Sequence, residues 1–109
     1  MKFSEMVAEF RATLPGTESF KRARRNCLGI ITSHPDQAAA AFLIAGFCRS
    51  YVVLYEEEAL DLDFAKRNHS LILEYMLILD EALSAHDVIK VHDALNKVVS
   101  EYSVGDGAF

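Results

Sequence analysis

The chain has 109 residues, of which 51% are hydrophobic, with only five glycines and two prolines. This composition excludes a disordered chain, and the length allows one domain with a single hydrophobic core. The net charge of −5 argues against a nucleic-acid-binding module, because such modules normally carry a positive field over their whole surface.

The first two predicted helices are amphipathic. One runs from Ser4, its predicted N-cap, to Leu14, and Pro15 stops it. Its apolar stripe consists of Phe3, Met6, Val7, Phe10 and Leu14. The second runs from Thr17 to about Thr32, and its apolar side consists of Phe20, Ala23, Cys27, Ile30 and Ile31. Its other side carries a basic cluster of Lys21, Arg22, Arg24 and Arg25.

The third predicted helix has no polar face. It begins at Ser33 to Asp36 and runs to about Leu60, and its segment 38–55 is interrupted only by Arg49 and Ser50. A helix that is apolar all round must be enclosed by other helices, by a second copy of the protein or by lipid. The segment is nearly long enough to cross a bilayer, but an arginine inside it argues against a membrane span. We therefore predict a central helix wrapped by the others.

Two further helices are predicted in the acidic second half. The fourth runs from Phe64 to Leu83, with Leu77 on its polar side. Its inward stripe consists of Asn68, Ile72, Tyr75, Met76, Leu79 and Leu83. A capping box at Ser84 to Asp87 opens the fifth helix, which runs to about Val104. Its seam consists of Val88, Val91, Leu95, Val98 and Tyr102. Residues 105–109 are expected to fray, leaving Phe109 free.

Together these patterns predict an all-α protein. It is a compact bundle of four to five helices around a long apolar central helix, and residues 1–109 form a single helical domain. We expect two-thirds or more of the chain to be helical, with almost no sheet.

No pattern in the chain is typical of catalysis or of a metal site. The four histidines lack the Glu-x-x-His and His-x-x-x-His spacings that place ligands on one helix face. Cys27 and Cys48 lie within apolar helical patterns, so they are interpreted as reduced packing residues. We expect no cofactor and no enzymatic activity. The N-terminal segment does not resemble a signal peptide, so a cytoplasmic protein without a membrane partner is expected.

Charge is unevenly distributed along the chain. Residues 1–54 carry seven basic and four acidic side chains, a balance of +3, whereas residues 55–109 carry four basic and twelve acidic ones, a balance of −8. An acidic cluster of Glu56, Glu57 and Glu58 follows the apolar segment. We expect the basic cluster of the second helix to pair with such acids, within one subunit or across a dimer.

Arg49 is the one charged residue of the apolar segment, and it has no carboxylate one helical turn away. Its side chain has three possible roles: it extends to solvent, pairs with an acid on another helix, or lines a pocket. In the third case Tyr51 and Tyr55 are the expected companions in a small-anion site.

These features favour a non-catalytic protein that acts by binding another protein, as adaptors, regulators, chaperones and immunity proteins do. A homodimer is expected, because the apolar surface exceeds what one short chain can cover. The predicted interaction residues are the basic cluster, the acidic cluster and Leu77. One alternative is a helical bundle that senses a small anion or apolar ligand near Arg49. A weaker alternative is a nucleic-acid-binding regulator that uses Lys21 to Arg25.

Overall fold

The computed structural model describes residues 1–105 and residue 109. Of the described residues, 81% are helical, and none of them forms a strand. The all-α prediction is therefore confirmed. The five helices are α1 (Phe3–Arg11), α2 (Thr17–Ser33), α3 (Ala38–Tyr55), α4 (Leu62–Ser84) and α5 (Val88–Ser103), with a 3₁₀ turn at Pro35–Gln37 before α3.

Helix α1 is shorter than the sequence predicted. Its N-cap is Lys2, whose backbone N–H donates to Glu5 Oε1 at 3.0 Å, so the prediction of Ser4 as N-cap was wrong. Leu14 lies beyond the helix and is 86% exposed, which corrects its place in the apolar stripe. The remaining four stripe residues are buried: Phe3, Met6, Val7 and Phe10. Gly16 then opens α2 with a φ of 149°, a conformation that side chains with a Cβ rarely adopt.

The apolar helix α3 is present, but it ends at Tyr55 rather than near Leu60. Three glutamates follow directly, and negative charge at a helix C-terminus opposes the macrodipole. Helix α3 packs mainly against α2, to which the short 3₁₀ segment connects it as an antiparallel hairpin, and also against α4.

Aspartates fix the starts of the last two helices. Asp61 Oδ1 accepts from the Phe64 N–H at 2.8 Å, and Asp87 Oδ1 accepts from the N–H groups of Ile89 and Lys90. Ser84 is instead the last residue of α4, so its predicted role as the cap of α5 was wrong. Val88 is 84% exposed and does not belong to the α5 seam, in which Ala94 and Val98 are buried.

The core contains an aromatic cluster that includes Phe109. This residue is only 5% exposed, and its ring centroid lies 6.0 to 6.3 Å from the rings of Phe20, Phe47, Tyr51 and Tyr102. The expectation that Phe109 is free was therefore wrong. The rest of the expected frayed tail, residues 106–108, lies outside the described residues.

The bundle leaves part of its longest apolar segment uncovered. Residues Pro35–Tyr55 are long and apolar enough to cross a membrane by length and composition, and 39% of the apolar window is buried. A core helix of a soluble protein passes the same test, so this is weak evidence for a membrane span. One side of α3 is exposed, because the other helices do not wrap this helix completely.

Candidate functional site

One side of α3 faces away from the bundle, and we call it the α3 open face. Its exposed residues recur at helical spacing: Ala39, Phe42, Gly46, Arg49 and Val53. Phe42 is 71% exposed and Val53 is 73% exposed. These two large apolar side chains lie about three helical turns apart on one face of α3, with Gly46 and Arg49 between them.

Gly46 stands in the middle of the α3 open face. A Cβ added at Gly46 would meet no heavy atom within 4 Å, so packing within the chain does not require a glycine there. Glycine inside a helix costs roughly 1 kcal/mol relative to alanine. A glycine at this position leaves room for another backbone to approach α3 closely.

Helices α2 and α3 form a groove beside the open face, which we call the arginine groove. It encloses about 400 Å³ and is lined by Glu18, Lys21, Arg24, Arg25, Arg49, Val52 and Val53. Arg25 and Arg49 are exposed and Arg24 is half-buried. The antiparallel hairpin thus brings Arg49 together with three residues of the basic cluster, although they are far apart in the sequence.

Part of the basic cluster is neutralised by acids. Lys21 forms ion pairs with Glu56 and, at 3.5 Å, with Glu18, and the hydrogen bond to Glu56 raises the pKa of Lys21. Arg22 does not line the arginine groove, and its Nη1 lies 3.8 Å from Oε1 of Glu9 on α1. Within the described chain, Arg24, Arg25 and Arg49 have no ion pair with a carboxylate. The expected pairing of the two clusters is thus present between Lys21 and Glu56. Glu18, the acid that lines the arginine groove, pairs with Lys21 and not with any of the three arginines.

The structure separates Tyr51 from Arg49, contrary to the expectation that both line one anion site. Tyr51 is fully buried and stacks on Phe20 with ring centroids 3.8 Å apart. Its hydroxyl is buried without a hydrogen-bond partner among the described residues. Tyr55 is half-buried, and its ring contacts Tyr51 and Phe64. Neither tyrosine lines the arginine groove.

Leu77 lies in a second, shallower surface groove on α4. The groove encloses about 290 Å³, and its residues are Ser70, Leu73, Glu74, Leu77, Ile78 and Glu81. Leu77 is half-buried and packs against the core. It is therefore less available for a partner than the large side chains of the α3 open face.

Among residues 1–105 and 109, the remaining histidine, cysteine and carboxylate side chains form no group arranged for metal binding, and both cysteines are buried. Over residues 1–105 and 109, no group of three or more His, Cys, Asp and Glu side chains is arranged to hold a metal ion. Burial raises the pKa of the Cys27 thiol to about 12 and raises that of Cys48 further, so both thiols stay protonated. Burial lowers the pKa of His69, which stacks on Phe10 and lies 3.2 Å from Thr13 Oγ1. These are packing residues.

Comparison with known proteins does not assign a family. No protein-family model, no curated protein and no solved structure matches this chain. The α3 open face and the arginine groove are the two surface features of α3 that bear on function.

Proposed function

We propose that this protein is non-catalytic and acts by binding another protein chain, and that a second copy of itself occupies the α3 open face. The observation that carries the proposal is the exposure of Phe42 and Val53 on a helix that is otherwise apolar. Burying a side chain such as that of Phe42 stabilises a complex by about 1.5 to 3 kcal/mol before the costs of association.

The spacing of four residues on the open face is compatible with a second copy. Phe42, Gly46, Arg49 and Val53, without Ala39 of the same face, follow one another at steps of four, three and four residues, the ordinary alternation along one helix face, and these steps read the same in both directions. Two antiparallel α3 helices related by a twofold axis therefore bring Phe42 of one copy opposite Val53 of the other. The same arrangement sets Gly46 opposite Arg49, so the smallest residue faces the longest. A twofold interface requires this kind of self-complementary surface.

The experiment is a light-scattering measurement of mass over roughly a hundred-fold range of protein concentration. The wild-type protein is expected to approach twice 12.2 kDa at high concentration and to dissociate on dilution. Phe42→Glu should stay at the monomer mass, because the dimer would then bury a carboxylate in place of the apolar ring opposite Val53. Val88→Glu is the matched control, since Val88 is an apolar residue of α5 that is 84% exposed.

Three results would overturn the proposal. The first is a wild-type mass of 12.2 kDa at every concentration. The second is equal dissociation of the Phe42→Glu and Val88→Glu proteins, since the interface then lies elsewhere or the effect is general. The third is a monomer that binds neutral lipid vesicles through Phe42, because lipid then covers the face. Circular dichroism of both variants establishes that the helices are intact.

A further inference from the structure

We propose that the arginine groove, which is complete in a single copy of the chain, is a binding site for a compact phosphate-bearing anion. The groove is formed within one chain, by Arg24 and Arg25 of α2 and Arg49 of α3. Guanidinium groups present several donors in a planar fork that matches the oxygens of a phosphate. Three of them around a space of about 400 Å³ can surround one such group.

The charge balance inside the groove favours an anion. Lys21 is already satisfied by Glu18 and Glu56. The three arginines have no carboxylate of the described chain within ion-pair distance, although the chain as a whole carries a net charge of −5. Like charges held in one groove repel each other, and a bound anion replaces that repulsion with attraction.

The surroundings favour a compact anion over a long nucleic acid. Glu18 lines the groove itself, and Glu56 to Glu58 follow the end of α3. A strand that extends past the groove therefore meets the acidic cluster as well as Glu18, whereas a single phosphate or diphosphate group meets only Glu18, which already pairs with Lys21. Val52 and Val53 form an apolar wall beside the arginines. A phosphorylated small molecule could place its phosphate on the arginines and its less polar part on this wall.

The test uses inorganic pyrophosphate as the probe, with thermal melts and titration calorimetry on the full chain. We expect saturating pyrophosphate to raise the melting temperature by about 5 °C relative to sodium chloride of the same ionic strength. The triple variant Arg24→Gln, Arg25→Gln, Arg49→Gln should lose this shift. The matched control is Lys66→Gln, Lys90→Gln, Lys97→Gln, which removes three exposed charges on α4 and α5 and should keep the shift.

Arg49→Lys provides a second variant that retains the charge. It should weaken pyrophosphate binding about tenfold, because an ammonium cannot bind bidentately. Equal shifts in the two triple variants would overturn the proposal, since pyrophosphate then acts only through general charge. The absence of any shift in the wild-type protein would overturn it as well.

Two further probes separate the sources of phosphate. A single-stranded DNA oligonucleotide that binds more tightly than pyrophosphate, with a steep salt dependence, would replace the compact anion with a polyanion. Binding to vesicles with anionic headgroups but not to pyrophosphate would instead indicate a membrane surface. Failure of these experiments leaves the dimer proposal standing, because Phe42→Glu changes no arginine of the groove.

Discussion

At the scale of single residues, most buried polar side chains of residues 1–105 have a hydrogen-bond partner, as Ser19 and His69 do. Tyr51 Oη and Asn68 Nδ2 are buried without a hydrogen-bond partner among the described residues. A buried hydroxyl without a partner costs about 1 to 3 kcal/mol of desolvation. The ring of Tyr51, by contrast, is well packed, because it stacks on Phe20 and contacts Phe109.

Tyr51→Phe is therefore predicted to leave the free energy of unfolding unchanged or to raise it by up to about 1 kcal/mol. The substitution keeps the stacked ring and removes only the unsatisfied hydroxyl. Urea unfolding measures the difference. Tyr51→Leu is the control for the ring, and it should lower the stability by about 1 to 3 kcal/mol.

The same variant tests the role that the sequence suggested for Tyr51. A tyrosine that binds an anion beside Arg49 loses affinity when its hydroxyl is removed. We expect pyrophosphate to stabilise Tyr51→Phe as much as the wild-type protein. A loss of stability above about 1 kcal/mol in Tyr51→Phe would contradict the prediction, because the hydroxyl then has a partner.

At the scale of single helices, periodicity predicted the buried faces better than the helix ends. The stripe of α4 from Asn68 to Leu79 is buried as expected. The observed helix ends differ from the predicted ones because more than one residue near each end is a suitable N-cap. Ser4 and Ser84 both resemble N-caps in the sequence, but both lie inside helices, while Lys2 and Asp87 occupy the caps. Local pattern alone does not decide among neighbouring capping residues.

Gly46 gives a prediction at this scale. Gly46→Gln should raise the free energy of unfolding of the monomer by up to about 1 kcal/mol, because glutamine is the better helix former and space is open around the site. The same substitution should weaken the dimer, because its side chain holds the second α3 away. Denaturation at low protein concentration and light scattering at high concentration measure the two effects.

Gly29→Gln is the matched control for Gly46→Gln. Gly29 also lies inside a helix, α2, and a Cβ there also meets nothing within 4 Å. This variant should gain the same stability and keep the dimer. Loss of the dimer in both variants, or in neither, would contradict a close approach at Gly46.

At the scale of the whole molecule, the sequence could not reveal the arginine groove. The spacing of apolar residues within each helix predicted which of its faces is buried. The sequence also indicated Arg49 and the basic cluster as candidate site residues. Which of them meet depends on the register of α2 against α3, and the packing of the hairpin sets that register. Burial of Phe109 was missed for the same reason, since the two glycines before it indicate a loose end and only tertiary contacts place its ring.

Arg49 belongs to both surfaces, because it lines the arginine groove and lies on the α3 open face. In the antiparallel dimer, the Arg49 residues of the two copies are three positions apart along the helix axis, or about 4.5 Å. Packed helix axes also lie about 8 to 10 Å apart, so the two Arg49 positions are separated by about 10 Å, which is close to the screening length of roughly 8 Å at physiological salt, and their repulsion weakens the dimer modestly.

Pyrophosphate is therefore predicted to tighten the dimer about tenfold, because one anion in each groove neutralises each Arg49, and dimerisation must tighten pyrophosphate binding about threefold at each of the two sites. Light scattering with and without pyrophosphate at constant ionic strength measures this coupling. Arg49→Gln should dimerise more tightly than the wild-type protein without any anion, and pyrophosphate should then change its mass distribution little. If pyrophosphate instead dissociates the wild-type dimer, the anion and the second copy compete for one surface. The coupling would then have the opposite sign, although each partner would still bind alone.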